Sequence, residues 1–245
     1  MPSPLHTSNI KSFLKIDAAL VLLGIASGLV GNYDSPAGQV SKIIPATYAF
    51  AIWAPIYLSG IYFAWWLVRK SQVDFGLGIH LLALSFFMSG LWVRVQSNNA
   101  LELVVVASNL IVVLTQAQLL SKLEFAKRSE FLAVGLPSGT LAGWLTLATA
   151  VTYSDGLKIS FGDTRTAAIF AAFAVGFAVC VSKWIVPTAT YRWTLIWGLV
   201  GIVVSQHSLA TQVAIVAGVG VVLLSALICY SSYRSTQHAI SVANQ

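Results

Sequence analysis

Tyr48, Phe50, Trp53 and Tyr57 fall within ten residues of one apolar run, with Pro55 among them. At about 100° per residue, Phe50, Trp53 and Tyr57 share one face of a helix. Rings so placed do no acid–base or nucleophilic work; their chemistry is stacking against a flat apolar molecule or against each other. Another indole, Trp144, lies in Gly143-Trp144-Leu145-Thr146-Leu147-Ala148-Thr149, with Pro137 one to two turns earlier. Asn109, in the middle of a long apolar run, is the most buried amide in the sequence. A lone Asn there bonds a neighbouring helix or offers a ligand a polar contact. His80 lies about one turn inside another apolar run and reads as a histidine bonded near an interface.

No His, Cys or carboxylate cluster has metal-ligand spacing, and no Gly-x-Ser-x-Gly elbow or phosphate loop is present. All eight acidic residues stand at the ends of apolar runs or between them. Proton pumps place an ionisable group deep in the bundle, so this pattern argues against one; sodium coupling through backbone and hydroxyl oxygens stays open. No catalytic residue, cofactor or metal is expected, and the chain is not read as an enzyme.

The elements that must hold these side chains are membrane helices. The chain has 245 residues, 57% hydrophobic and 9% charged, with a mean hydropathy of +0.80; soluble domains carry about 25% charged residues. Apolar runs long enough to cross a bilayer core of roughly 30 Å occupy about 16–32, 47–68, 77–94, 101–121, 130–152, 166–183, 192–206 and 209–230. The expected fold is therefore all-α, a polytopic transmembrane bundle of about eight spans. The short seventh run makes seven the alternative count.

With the N-terminus inside, eight spans put ten of the 14 Lys and Arg residues inside and four outside, as the positive-inside rule requires. Both termini are then cytoplasmic, most naturally in a cell or inner membrane. The basic residues flank the runs instead of forming a patch, so no nucleic-acid partner is expected. Trp65, Trp66, Trp184 and Trp193 lie beside basic residues at the inner boundary and read as an interfacial belt, with Trp92 at the outer end of the third run. Trp53 and Trp144 fall deeper, each roughly 9–12 Å below the outer surface at 1.5 Å per residue. Two indoles at matched depth either line one flat cavity or pack the core. The loop over 32–46 leads into the first of them and is placed to act as a lid.

The run Pro45-Ala46-Thr47-Tyr48-Ala49-Phe50-Ala51-Ile52-Trp53-Ala54-Pro55-Ile56-Tyr57, then Gly60 and Trp65, resembles the second helix of the TspO/translocator-protein (tryptophan-rich sensory protein) family. Pro137 followed by Trp144-Leu145-Thr146-Leu147-Ala148 is similar to that family's fifth helix. The resemblance covers about 16–153. It implies a five-helix core, 1–153, binding flat amphipathic molecules such as porphyrins, bilins or sterols beneath the first loop. Residues 154–245 are then a three-helix extension. It also places Trp53 and Trp144 on the family's pocket tryptophans, with Tyr48, Phe50 and Tyr57 beside them. The family's third-helix Gln and Asn fall on Ser85 and Ser89 here, and the Asn closing its fifth-helix motif falls on Thr152. Those amides, which would orient a polar ligand group, are lost, which leaves room for a different ligand and puts porphyrin-degrading activity in doubt.

The candidate ligand-binding set is Tyr48, Phe50, Trp53, Tyr57, Trp92, Asn109 and Trp144. The expected function is binding, sensing or translocating an amphipathic aromatic molecule, tetrapyrrole- or sterol-like. An ion-coupled secondary transporter of eight helices is the alternative. Expected partners are the bilayer and that ligand, and a homodimer is admitted.

Overall fold

The computed structural model describes residues 4–30, 41–70, 76–96, 99–123, 125 and 127–243. Within them the chain forms eight long helices: α1 Pro4–Val30, α2 Trp53–Arg69, α3 Leu77–Val95, α4 Asn99–Ser121, α5 Arg128–Gly156, α6 Thr164–Trp184, α7 Ala189–Gln206 and α8 Thr211–Ala243. No strand occurs among the described residues. Seven of the eight are long and apolar enough to cross a bilayer; α7, with Arg192 in its first turns, is the less apolar one. The protein is a multi-pass membrane protein, and its exposed leucines, isoleucines and phenylalanines face the bilayer.

Helix ends agree with the apolar runs to within a few residues, except that α1 begins twelve residues before the run at 16 and α8 continues past 230. Propagating a helix adds one hydrogen bond per residue fixed, and nothing between Leu5 and Lys15 interrupts it. Pro4 costs nothing as the first residue, where its missing N–H has no helical partner to serve.

The two prolines that mark the sequence motifs mark irregular turns. Residues Thr47–Ile52 form a 3₁₀ helix, and the chain converts to an α-helix at Trp53. Pro55 then lies in the first α-turn, so the bond it cannot donate falls where the winding changes. In α5, residues Phe131–Gly135 wind as a π-helix immediately before Leu136 and Pro137. The wider turn again accommodates the missing N–H.

α1 packs on α2 and α3, α3 on α4, and α4 on α5, whose π-turn also meets α2. α5 is the central helix: 72% of its apolar window is buried, against 28–56% in the other spans. Its second face carries the C-terminal helices, with α7 against α5, α8 against α7, and α6 against α8. Gly143 allows this crossing, since a Cβ there would lie 2.7 Å from the Tyr191 carbonyl oxygen. Small residues at such points let helix backbones approach in a membrane, where no hydrophobic force separates helix from lipid.

Of the expected belt, Trp65, Trp184 and Trp193 are exposed, and Arg69 and Lys183 each lie 4.8 Å from the indole of Trp65 and Trp184 respectively. Trp66 departs from it. The i and i+1 positions of a helix face different ways, so Trp66 is turned into the bundle and buried.

Candidate aromatic cavity

Residues 41–46 run as non-helical backbone before the 3₁₀ turn, and several of their polar groups bond to other parts of the protein. The Ala46 N–H donates to the Gly201 carbonyl at 2.9 Å. The Ile44 carbonyl accepts from Ser205 Oγ at 2.6 Å and from Gln206 Nε2 at 3.1 Å. Gln206 Nε2 also reaches the Ser41 carbonyl, and Trp197 Nε1 donates to the Ala49 carbonyl at 2.8 Å. On the other side Lys42 N–H donates to the Ser160 carbonyl, and Lys42 Nζ to that of Gly162. Irregular backbone at membrane depth survives only where protein satisfies it, and here α7 supplies most of the partners.

This roof, with α2, the ends of α3 and α4, and α5, borders an open-mouthed cavity of about 250 Å³. Ile44 and Pro45 line it from the roof, and Phe50 and Trp53 from the 3₁₀ turn and the start of α2. Three residues per 3₁₀ turn put Phe50 and Trp53 one above the other. Both meet Trp144 edge to face, with ring centroids at 5.5 Å and 6.3 Å. Trp92 and Glu102 form the side wall, the indole Nε1 donating to Glu102 Oε1 at 3.0 Å. From α5 come Trp144, Ala148, Val151 and Asp155, spaced four, three and four residues apart on one helical face.

Of the seven residues the sequence suggested, Phe50, Trp53, Trp92 and Trp144 line the cavity. The other three stand outside its lining. Tyr48, two residues before Phe50, faces away from the cavity and meets Trp197 edge-on at 5.7 Å. Tyr57 lies against Trp53 at 5.2 Å, one turn behind the wall, with its hydroxyl against Gly28. Asn109 is fully buried and donates from Nδ2 to Ser89 Oγ at 3.1 Å, tying α4 to α3. Of the expected lid, 32–40 lies outside the described residues; its described end, 41–46, is the roof. The polar residues at the mouth went unnoticed: Gln96, Asn99, Glu102, Asp155 and Lys158. For Asp155 a signal existed in the 144/148/151/155 spacing; Glu102 depends on how α4 packs against α3, which no spacing reveals.

His80 Nδ1 and Asp17 Oδ2 stand 2.6 Å apart at the opposite end of the bundle, so the bonded histidine has a carboxylate partner on α1. Cys180 and Cys229 are free thiols on the lipid-facing surface. No group of His, Cys, Asp and Glu able to hold a metal occurs among the described residues.

A family model described as TSPO-like protein matches residues 34–230. The chain belongs to the TSPO-like family. The match runs through α6, α7 and most of α8, so it takes in the C-terminal helices as well as the aromatic cavity. Neither a curated protein nor a solved structure matches the chain. Membership accords with ligand binding or sensing in a membrane as a broad class.

Proposed function

We propose that the protein binds a flat, amphipathic small molecule in the cavity between α2, the α3–α4 turn and α5, as a sensor or carrier without covalent chemistry. The observation that carries this reading is the meeting of Phe50, Trp53 and Trp144 on one wall of an open-mouthed cavity. Edge-to-face rings leave an indole face available to a ligand, and such contacts contribute about 0.5–1.5 kcal/mol each beyond area burial. Small-molecule sites usually measure roughly 300–1,000 Å³. At about 250 Å³ the space favours a compact ligand of two or three fused rings over a tetrapyrrole- or sterol-sized one.

The test is intrinsic tryptophan fluorescence of the full chain in detergent, titrated with a compact polycyclic quencher and, in parallel, with protoporphyrin. Saturable quenching by the compact probe is expected. The double variant Trp53→Ala, Trp144→Ala should lower its affinity by about tenfold or more, two lost ring contacts being worth roughly 1–3 kcal/mol. Unchanged affinity in that variant would move the site elsewhere. Ion-gradient-dependent flux of the probe in proteoliposomes would instead favour the transporter reading.

A further inference from the structure

The aromatic wall accounts for the flat part of a ligand, but not for two carboxylates at the cavity mouth. Asp155 lies eleven residues beyond Trp144 on α5. That is three turns on the same face and about 16 Å further along the axis. Glu102 comes from the first turn of α4 on the facing wall. Each spends one oxygen on the protein. Asp155 Oδ1 accepts from Ser41 Oγ at 2.8 Å and from Ser160 Oγ; Glu102 Oε1 accepts from Trp92 Nε1 at 3.0 Å. Among the described residues no hydrogen bond engages Asp155 Oδ2 or Glu102 Oε2, and neither carboxylate is ion-paired.

Among the described residues, neither nearby cation is within ion-pair distance of the two carboxylates. Lys158 shares the lining, but its ammonium stands over the Phe161 ring at 5.5 Å; Lys42 Nζ donates to the Gly162 carbonyl. Glu102 and Asp155 line the same cavity. Two like charges beside an apolar wall are unfavourable unless a cation relieves them.

We propose that the cavity selects an organic amine. Its protonated nitrogen sits between Glu102 and Asp155, and its fused rings lie along Phe50, Trp53 and Val151. This rests on the cavity-binding reading above, and adds to it the charge of the ligand and its direction in the site. The amine end faces the mouth, and the fused rings face the aromatic wall.

The experiment titrates the full chain in detergent with three anthraquinones that share a ring system, carbonyls and side-arm length. Their arms end in a primary amine, a methyl group or a carboxylate. Tryptophan quenching reports affinity. The amine should bind at least about tenfold tighter than the methyl compound, the worth of one charge-assisted hydrogen bond, and the carboxylate should bind weakest. Glu102→Gln keeps an acceptor for Trp92, and Asp155→Asn keeps one for Ser41; together they should bring the amine-to-methyl ratio near one. Equal affinity for amine and methyl probes in the unaltered protein overturns the amine proposal and leaves the cavity intact. So does a preference that survives both substitutions. If none of the three quenches saturably, the cavity reading fails and this proposal with it.

Discussion

Arg192 is the residue on which the C-terminal helices converge. Its side chain is buried and makes four hydrogen bonds: Nε to Ser182 Oγ, Nη2 to the Ser182 carbonyl, and Nη1 to the Leu227 carbonyl and Ser231 Oγ. One guanidinium thus joins α6, α7 and α8 without a carboxylate partner. Arg192→Ala leaves two buried carbonyls without this donor and should cost about 2 kcal/mol or more, read as a lower thermal midpoint in detergent. Arg192→Lys should fall nearer the alanine variant than the unaltered protein, because an ammonium cannot span partners on both sides of a planar fork. The sequence labels Arg192 only as a positive-inside residue, since charge and position alone cannot show what a side chain bonds. Trp53 and Trp144 were legible at this scale because depth along a helix follows from counting residues. Tyr48 entered the set through the resemblance and not through counting; two residues before Phe50 it falls about 240° round the 3₁₀ turn and faces Trp197. Asn109 reads correctly as a buried amide, but its partner Ser89 is one of the positions where the family's own amide is missing, and only the fold brings them together.

At the scale of elements, the roof of the cavity depends on a helix that contributes no residue to its lining. α7 approaches the roof so closely that a Cβ on Gly201 would stand 2.7 Å from Ala49 Cβ and 3.1 Å from Pro45 Cβ. Neither atom can swing aside, because one is an alanine methyl and the other is in a proline ring. Gly201→Val should therefore push the 41–52 segment off α7, break the Ala46 and Trp197 bonds and weaken probe affinity, although residue 201 touches no ligand. Over-packing of this kind costs about 1–3 kcal/mol. Probe titration and the thermal midpoint of the same variant measure the two effects; unchanged affinity would mean that the roof does not hold the site. A second element is set by Asp163, the N-cap of α6, whose Oδ1 accepts from the Thr166 N–H at 2.9 Å and whose Oδ2 accepts from the Thr166 hydroxyl. The Thr166 hydroxyl, then its N–H, hold this carboxyl below its usual 3.8. A depressed carboxylate stabilises fully above its unfolded value and loses that contribution as pH falls through the folded one. The first turn of α6 should thus be fully capped at neutral pH and fray below about pH 4, seen as faster amide exchange at Thr166 relative to its intrinsic rate. Asp163→Ala should show the frayed rate at both pH values.

For the whole molecule the open question is whether α7 crosses the membrane, since that fixes which side each terminus occupies. By composition it is the one long helix that falls short of a span. Its 18 residues reach about 27 Å at 1.5 Å per residue, close to the roughly 30 Å core. Its polar content is also accounted for internally. Arg192 is bonded to α6 and α8, Thr194 to the Thr190 carbonyl, and Gln206 to the roof. Tyr191 is fully buried, with its hydroxyl 3.1 Å from Thr146 Oγ1 on α5. A helix wedged between α5 and α8 needs less lipid-like composition than one facing acyl chains, and we predict that α7 crosses the bilayer. Its two ends are placed for a crossing: Arg192 bonds to α6 and α8, and Gln206 bonds to the roof beside the cavity. Eight crossings would put the two termini on one side, the side favoured by ten of 14 basic residues. Reporter tags fused in turn to each terminus, and single cysteines at Lys122 and His207 in a background where Cys180 and Cys229 are serine, decide the matter. Both tags and residue 122 should be reached only from the cytoplasmic face, and residue 207 only from the outer one. Termini on opposite faces would reduce the count to seven and place α7 as a re-entrant element beneath the cavity roof.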